Sequence, residues 1–238
     1  MALEIVGTTT TVNTDAANIT FTVPTVGGGI QAGDIIVAVG MHCEAEDNAW
    51  GTPSGMDGEW LAELHVGQAP ASIPGVQVWY EICAGGESGT RTATGTFTGG
   101  IAGVCFVVRG ADTTTPLDVA ITTVQSSATG QPDPPSITPV SDDCMIVIVC
   151  FMDDTDTTNA PSSPPTNYNL IATVVQTSTP TSGRLGVAYR VLSGGGGSPE
   201  NPGSWTLDGN DEWAAATIAI RPLVSANLNS NRLLLGVG

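Results

Sequence analysis

Apolar residues in this chain fall into short alternations and short unbroken runs, with no helical stripe of the 3.6-residue period. Ile19-Thr20-Phe21-Thr22-Val23 and Val76-Gln77-Val78-Trp79-Tyr80-Glu81-Ile82 alternate with period two, as half-buried strands do. Met145 to Met152 and Ala214 to Ile220 are continuous apolar runs of strand length, the pattern of strands buried on both faces. Glycine and proline clusters punctuate the chain at short, fairly even intervals. No segment carries a capped helical pattern longer than two turns, so essentially no α-helix is expected. The fold class that follows is all-β: a jelly-roll-like antiparallel β-sandwich built from two sequence-related halves.

The halves are visible as an internal repeat. Ala32-Gly33-Asp34-Ile35-Ile36-Val37-Ala38-Val39 matches Asp142-Asp143-Cys144-Met145-Ile146-Val147-Ile148-Val149, with Asp34 over Asp143. The same offset sets Tyr80 over Tyr189. Phe97-Thr98 pairs with Trp205-Thr206, and each half closes on a strand ending in arginine, at Arg109 and Arg221. Each first strand also runs into an acidic loop, Glu44-Ala45-Glu46-Asp47 and Asp153-Asp154-Thr155-Asp156.

This divides the chain into a sandwich over 1–222, with halves at about 30–110 and 141–222, a linker at 111–140 and a C-terminal arm at 223–238. The linker alternates from Val119 to Val124 and then turns proline-rich, so one strand is expected near its start and a crossing segment after Gln131. The alternation at residues 19–23 should add a strand at a sheet edge. Each half could close its own small sandwich, or the halves could interleave so that each sheet draws strands from both. About four strands make a thin independent unit, so the interleaved sandwich is the expected arrangement.

Charge removes whole classes of function. Six basic residues stand against 23 acidic ones, a net charge of −17, and there is no lysine. Clustered cations that bind phosphate are missing, so neither a nucleic acid nor an anionic membrane is an expected partner. No apolar stretch reaches spanning length, and Met1-Ala2-Leu3-Glu4-Ile5 lacks the features of a signal peptide, so synthesis in the cytoplasm without export is expected. The cysteines at 43, 83, 105, 144 and 150 read as small buried hydrophobes, Cys144 and Cys150 on one face of one strand.

Catalytic parts are few. Without lysine there is no Walker A loop, Schiff base or Ser-Lys dyad. His42 and His65 are the only histidines, and His42 and Cys43 should point to opposite faces of their strand, which precludes a dyad between them. Asp153-Asp154-Thr155-Asp156 gathers hard oxygen ligands but lacks the turn glycine and distal glutamate of an EF-hand, so a solvated loop tip is expected. No catalytic, cofactor-binding or metal-binding residue is assigned. Trp79 and Trp205 are expected in the core. Trp50 and Trp60, flanking a Gly/Pro/Asp-rich loop, are the pair to consider for stacking on a glycan. Leu233-Leu234-Leu235, after a polar Asn-rich stretch, has the character of a docking element for a partner protein.

Several of these segments together resemble a β-sandwich domain of bacteriophage virion structural proteins, of the capsid decoration or cement type and the tail-fibre type. They are Gly33-Asp34 with its following aliphatics, Val78-Trp79-Tyr80, Arg109-Gly110-Ala111-Asp112 with Thr115-Pro116-Leu117-Asp118, and the Ala-rich strand ending Arg221-Pro222. The likeness covers about residues 30 to 222. It implies a non-enzymatic module on the virion exterior, oligomeric, acting through contacts with other virion proteins. The long trimerising repeats of fibre proteins do not occur in this chain, which favours capsid decoration, with a tail-fibre or lectin-like adhesion role as the alternative.

Overall fold

The computed structural model describes residues 2–13, 17–43, 49–66, 75–95, 99–154, 161–177, 182–207 and 211–224. They form an all-β protein of antiparallel sheets packed as a sandwich. The first half holds β1 (Glu4–Asn13), β2 (Asn18–Thr22), β3 (Ile35–His42), β4 (Gly58–His65), β5 (Gly75–Ile82), β6 (Thr90–Thr94) and β7 (Ile101–Arg109). The second holds β8 (Thr122–Gly130), β9 (Met145–Asp154), β10 (Pro161–Ser163), β11 (Asn169–Gln176), β12 (Ser182–Val191), β13 (Thr206–Leu207) and β14 (Asp211–Ile220).

Two five-stranded sheets carry the structure, in the orders β1-β7-β3-β5-β4 and β8-β14-β9-β12-β11. Matched in chain order, these are the same arrangement. Register makes the match residue by residue and shows where the offset drifts. Tyr80 and Tyr189 sit opposite Gly58 and Asn169, so β5 and β12 keep the spacing that sets Asp34 over Asp143. Ile35, paired with Ile82 and Val108, and Met145, paired with Val191 and Ile220, occupy equivalent places, so β3 and β9 are offset by one residue more. Asp34 therefore corresponds to Cys144 and not to Asp143. Arg109 and Arg221, which follow Val108 and Ile220, have drifted further apart again. Small length changes in the connecting loops account for the drift.

The sheets do not interleave: every strand of each large sheet comes from one half. Four strands would make a thin unit, but among the described residues each half gathers seven: the chain ahead of the apolar strands supplies β1 or β8 as a fifth strand at the sheet edge, and a separate two-stranded sheet, β2-β6 or β10-β13, supplies two more. Local pairing then closes short loops, which costs less entropy than weaving two distant halves together. The expected edge strand at 19–23 is realised as β2, which pairs with β6 in a separate two-stranded sheet, while β1 takes the edge. The linker strand lies a little later than expected, as β8, before the prolines begin.

Alternation along the strands sorts residues among three cores. Val37, Val39, Val78, Val104 and Phe106 of the first sheet pack against Val147, Val149, Phe151, Leu185 and Ile218 of the second, so the halves share a central core. On the outer face of the first sheet, Ala38, Trp79 and Cys105 are covered by Ile19 and Phe21 of β2. On the outer face of the second, Ile146, Cys150, Ala188 and Ala215 pack with Ile137, Tyr168 and Trp205. The covering chain there is held by the Ile137–Glu200 bridge and a hydrogen bond from the Trp205 backbone N–H to the Pro132 carbonyl.

Strand direction brings like ends together. Ala111 bridges Pro222 at the end where β3 and β9 begin. At the opposite end, a Cβ on Gly183, which lies opposite Asp153, would stand 2.6 Å from Cys43 Sγ. The strand ends that feed the two acidic loops are thus adjacent, while the loops at 44–48 and 155–160 lie outside the described residues.

Candidate functional site

The two tryptophans nominated for sugar binding lie on opposite faces of the first sheet. Trp50 is 3 % exposed, packed edge-on to Trp79 and His42 in the outer core. Its backbone N–H donates to Gln77 Oε1 at 2.7 Å and its carbonyl accepts from Gln77 Nε2 at 3.2 Å. Trp60 packs against the central core and stacks on Tyr80, with ring centroids 5.1 Å apart. A ring buried as Trp50 is offers no face to a sugar, so the two do not make a shared platform. Trp79 and Trp205 are core residues, as expected, Trp79 from the alternation of its strand and Trp205 from its match with Phe97. Leu233, Leu234 and Leu235 lie outside the described residues, but the root of their arm does not.

That root joins the two most distinctive sequence segments. Asp112 N–H donates to the Arg221 carbonyl at 2.9 Å and Leu223 N–H to the Gly110 carbonyl at 2.8 Å, around the Ala111–Pro222 bridge. Leu223 and Val224 then emerge 49 % and 74 % exposed. They border a groove of about 780 Å³ whose other walls include Leu3, Asp142, Val191 and Leu192.

Both strand-end arginines are tied to buried aspartates, from different places. Arg109 grips Asp34 with two bonds of 2.9 and 2.7 Å, and Asp34 lies just before β3. Arg221 meets Asp118 from the linker at 3.0 Å. Burial pushes the Asp118 carboxyl up, but hydrogen bonds from Ser141, from the Val140 N–H and from Arg221 outweigh it and hold the group down at about 2. Arg91 chelates Glu81 and Arg190 meets Glu200. Of the six arginines in the chain, four are thus paired with carboxylates among the described residues.

All five cysteines are buried thiols. Burial raises Cys83, Cys105 and Cys144 to about 12 and Cys150 further still, so these four carry essentially no thiolate at neutral pH.

The polar cluster with the most chemical potential carries no nomination from the sequence. His42 ends β3 and is fully buried, on the outer face with Trp50, while Cys43 next to it faces the central core. Glu63 and His65, both on β4 with one residue between them, reach the same place from the sheet edge, with side chains 11 % and 22 % exposed. His42 Nε2 lies 2.6 Å from Glu63 Oε1, and His65 Nε2 lies 3.6 Å from Glu63 Oε2. One donor atom from each residue falls in a group where all are at most 4.8 Å apart. Among the described residues this is the one grouping of three or more His, Cys, Asp or Glu side chains with metal-ligand spacing. Neighbouring Glu59 accepts from Gln77 Nε2 at 2.7 Å, so a row of polar contacts runs along this part of the outer face. The local clue is Glu-x-His on a strand, which places both side chains on one face. The third member, on β3, lies well upstream in the chain and is brought in only by strand pairing.

In comparisons with known proteins, no family model, no curated protein and no solved structure matches the chain.

Proposed function

We propose that this is a non-enzymatic bacteriophage virion structural protein on the particle exterior, of the capsid decoration or cement type, attached through its C-terminal arm. The observation that carries the reading is the arm root. The Arg109-Gly110-Ala111-Asp112 segment and the strand end at Arg221-Pro222 are the strongest parts of the resemblance, and they are bonded to one another where the arm departs. A docking arm needs a rigid base, and here it is clamped by both halves at once. The exposed apolar pair Leu223 and Val224 beside a groove extends that base toward a neighbour. Net charge fits the same role, because many copies with −17 each repel one another on a crowded shell and remain soluble. Removing residues 233–238, which include Leu233, Leu234 and Leu235, should leave a folded protein that no longer co-sediments with particles. Full co-sedimentation of that truncation removes the docking role.

A further inference from the structure

The geometry points to a binding site for one divalent transition-metal ion, of the zinc class, at His42, Glu63 and His65, clipping the edge strand β4 to β3 across β5. Two imidazoles and a carboxylate are a donor set that such ions take, and three protein ligands leave a position for water. Ligand atoms around a tetrahedral zinc lie about 3.4 Å apart, since each is roughly 2.0–2.2 Å from the metal. Each histidine Nε2 lies beside its own oxygen of Glu63, at 2.6 and 3.6 Å, and the three donors lie within 4.8 Å of one another, so shifts of about an ångström in the side chains would seat an ion.

A second observation is the space left for these side chains to meet. β3 and β4 are not neighbours; β5 runs between them, and side chains from its flanking strands ordinarily cannot touch across it. Gly75, paired with both His42 and His65, removes that obstacle. A Cβ there would come within 2.3 Å of His42 Nε2 and 2.9 Å of Glu63 Oε1. The equivalent place in the other half is built differently. By register Met152 stands for His42, Arg184 for Gly75 and Val175 for His65. That half has the same strand order with no donor set and a long side chain in the window, so the cluster is a local addition and no requirement of the fold. His65 and Glu63, partly exposed, provide the way in for an ion, while buried His42 fixes the floor. Nothing in this site depends on the virion reading.

The test uses the full chain, stripped with chelator, then titrated with Zn²⁺ and, for its visible spectrum, with Co²⁺. One zinc per chain by elemental analysis, a tetrahedral-type Co²⁺ band and a thermal midpoint raised by zinc are expected. His65→Ala and Glu63→Gln, both at partly exposed positions, should fold by circular dichroism and bind about tenfold more weakly or worse. Val175→Ala, at the place in the other half that corresponds to His65, should bind as the parent does. Absence of stoichiometric zinc in the parent protein, or zinc bound equally by the parent and both cluster variants, overturns the site.

Discussion

The outer faces of the two large sheets have the same strand order and almost the same register, yet they are finished in opposite ways. The first is capped by a β-ribbon, β2 with β6, and admits a row of polar groups at one end: Glu59, Gln77, His42, Glu63 and His65. The second is capped by irregular chain around Ile137 and Trp205 and has Met152, Val175 and the buried Arg184 at the places of His42, His65 and Gly75. The large indoles also differ in origin. Trp79 comes from the sheet itself and lies against Gly40, whereas Trp205 comes from the covering chain and lies against Gly186. A sheet face constrains the volume that must fill it far more than the residue that fills it. Chemistry can therefore enter one half without disturbing its counterpart, provided a glycine such as Gly75 makes room.

The largest effect that tests this comparison is loss of an indole. Trp79→Ala and Trp205→Ala should each cost about 3–5 kcal/mol, because both rings are fully buried. Since the halves share the central core, urea unfolding of either variant should remain a single transition. Two separated transitions would show that the halves are energetically independent and that their likeness is one of layout alone.

A smaller effect distinguishes the two arginine clamps. Asp118 is held at about 2 when folded, against 3.8 for an ordinary aspartate. A depressed carboxyl stabilises the fold above the unfolded value and loses that contribution as pH falls through the folded one. Stability from this group is thus complete above about pH 4 and drains between pH 4 and pH 2. Asp118→Asn should lower the thermal midpoint at pH 7 and flatten its decline across that window. An unchanged acid slope would mean that the Arg221 clamp does not contribute to acid sensitivity.

The smallest expected signal is an absence of reaction. With Cys83, Cys105 and Cys144 pushed up to about 12, these thiols and Cys150 should resist a disulfide reagent at pH 8 in the folded protein and react on unfolding. Rapid native labelling of Cys83 or Cys105, but not of Cys144 or Cys150, would reveal local opening confined to the first half.

How much was legible in advance follows from the range of the forces involved. Alternation at Val76 to Ile82 and the unbroken run from Met145 mark strands and their burial, because side-chain direction in a strand is a local property. The matching arginines at 109 and 221 are visible for the same reason, as is the placement of adjacent His42 and Cys43 on opposite faces. Trp50 reads as a surface residue because a Gly/Pro-rich flank looks like exposed loop, while the partners that bury it, Gln77 and Trp79, come from β5, far along the chain.

By itself, then, the sequence determined the all-β class, the places of the main strands, the burial of Trp79 and Trp205 and the shortage of basic residues, all of which are local or compositional properties. Only the tertiary structure decided that each half keeps its own sheet, that Asp34 and Asp118 serve corresponding arginines from different loops, and that His42 meets Glu63 and His65. Those outcomes depend on which strands pair and in what register. Pairing is settled by the joint burial of residues far apart in the chain, and a single glycine at the right rung determines whether three polar side chains ever touch.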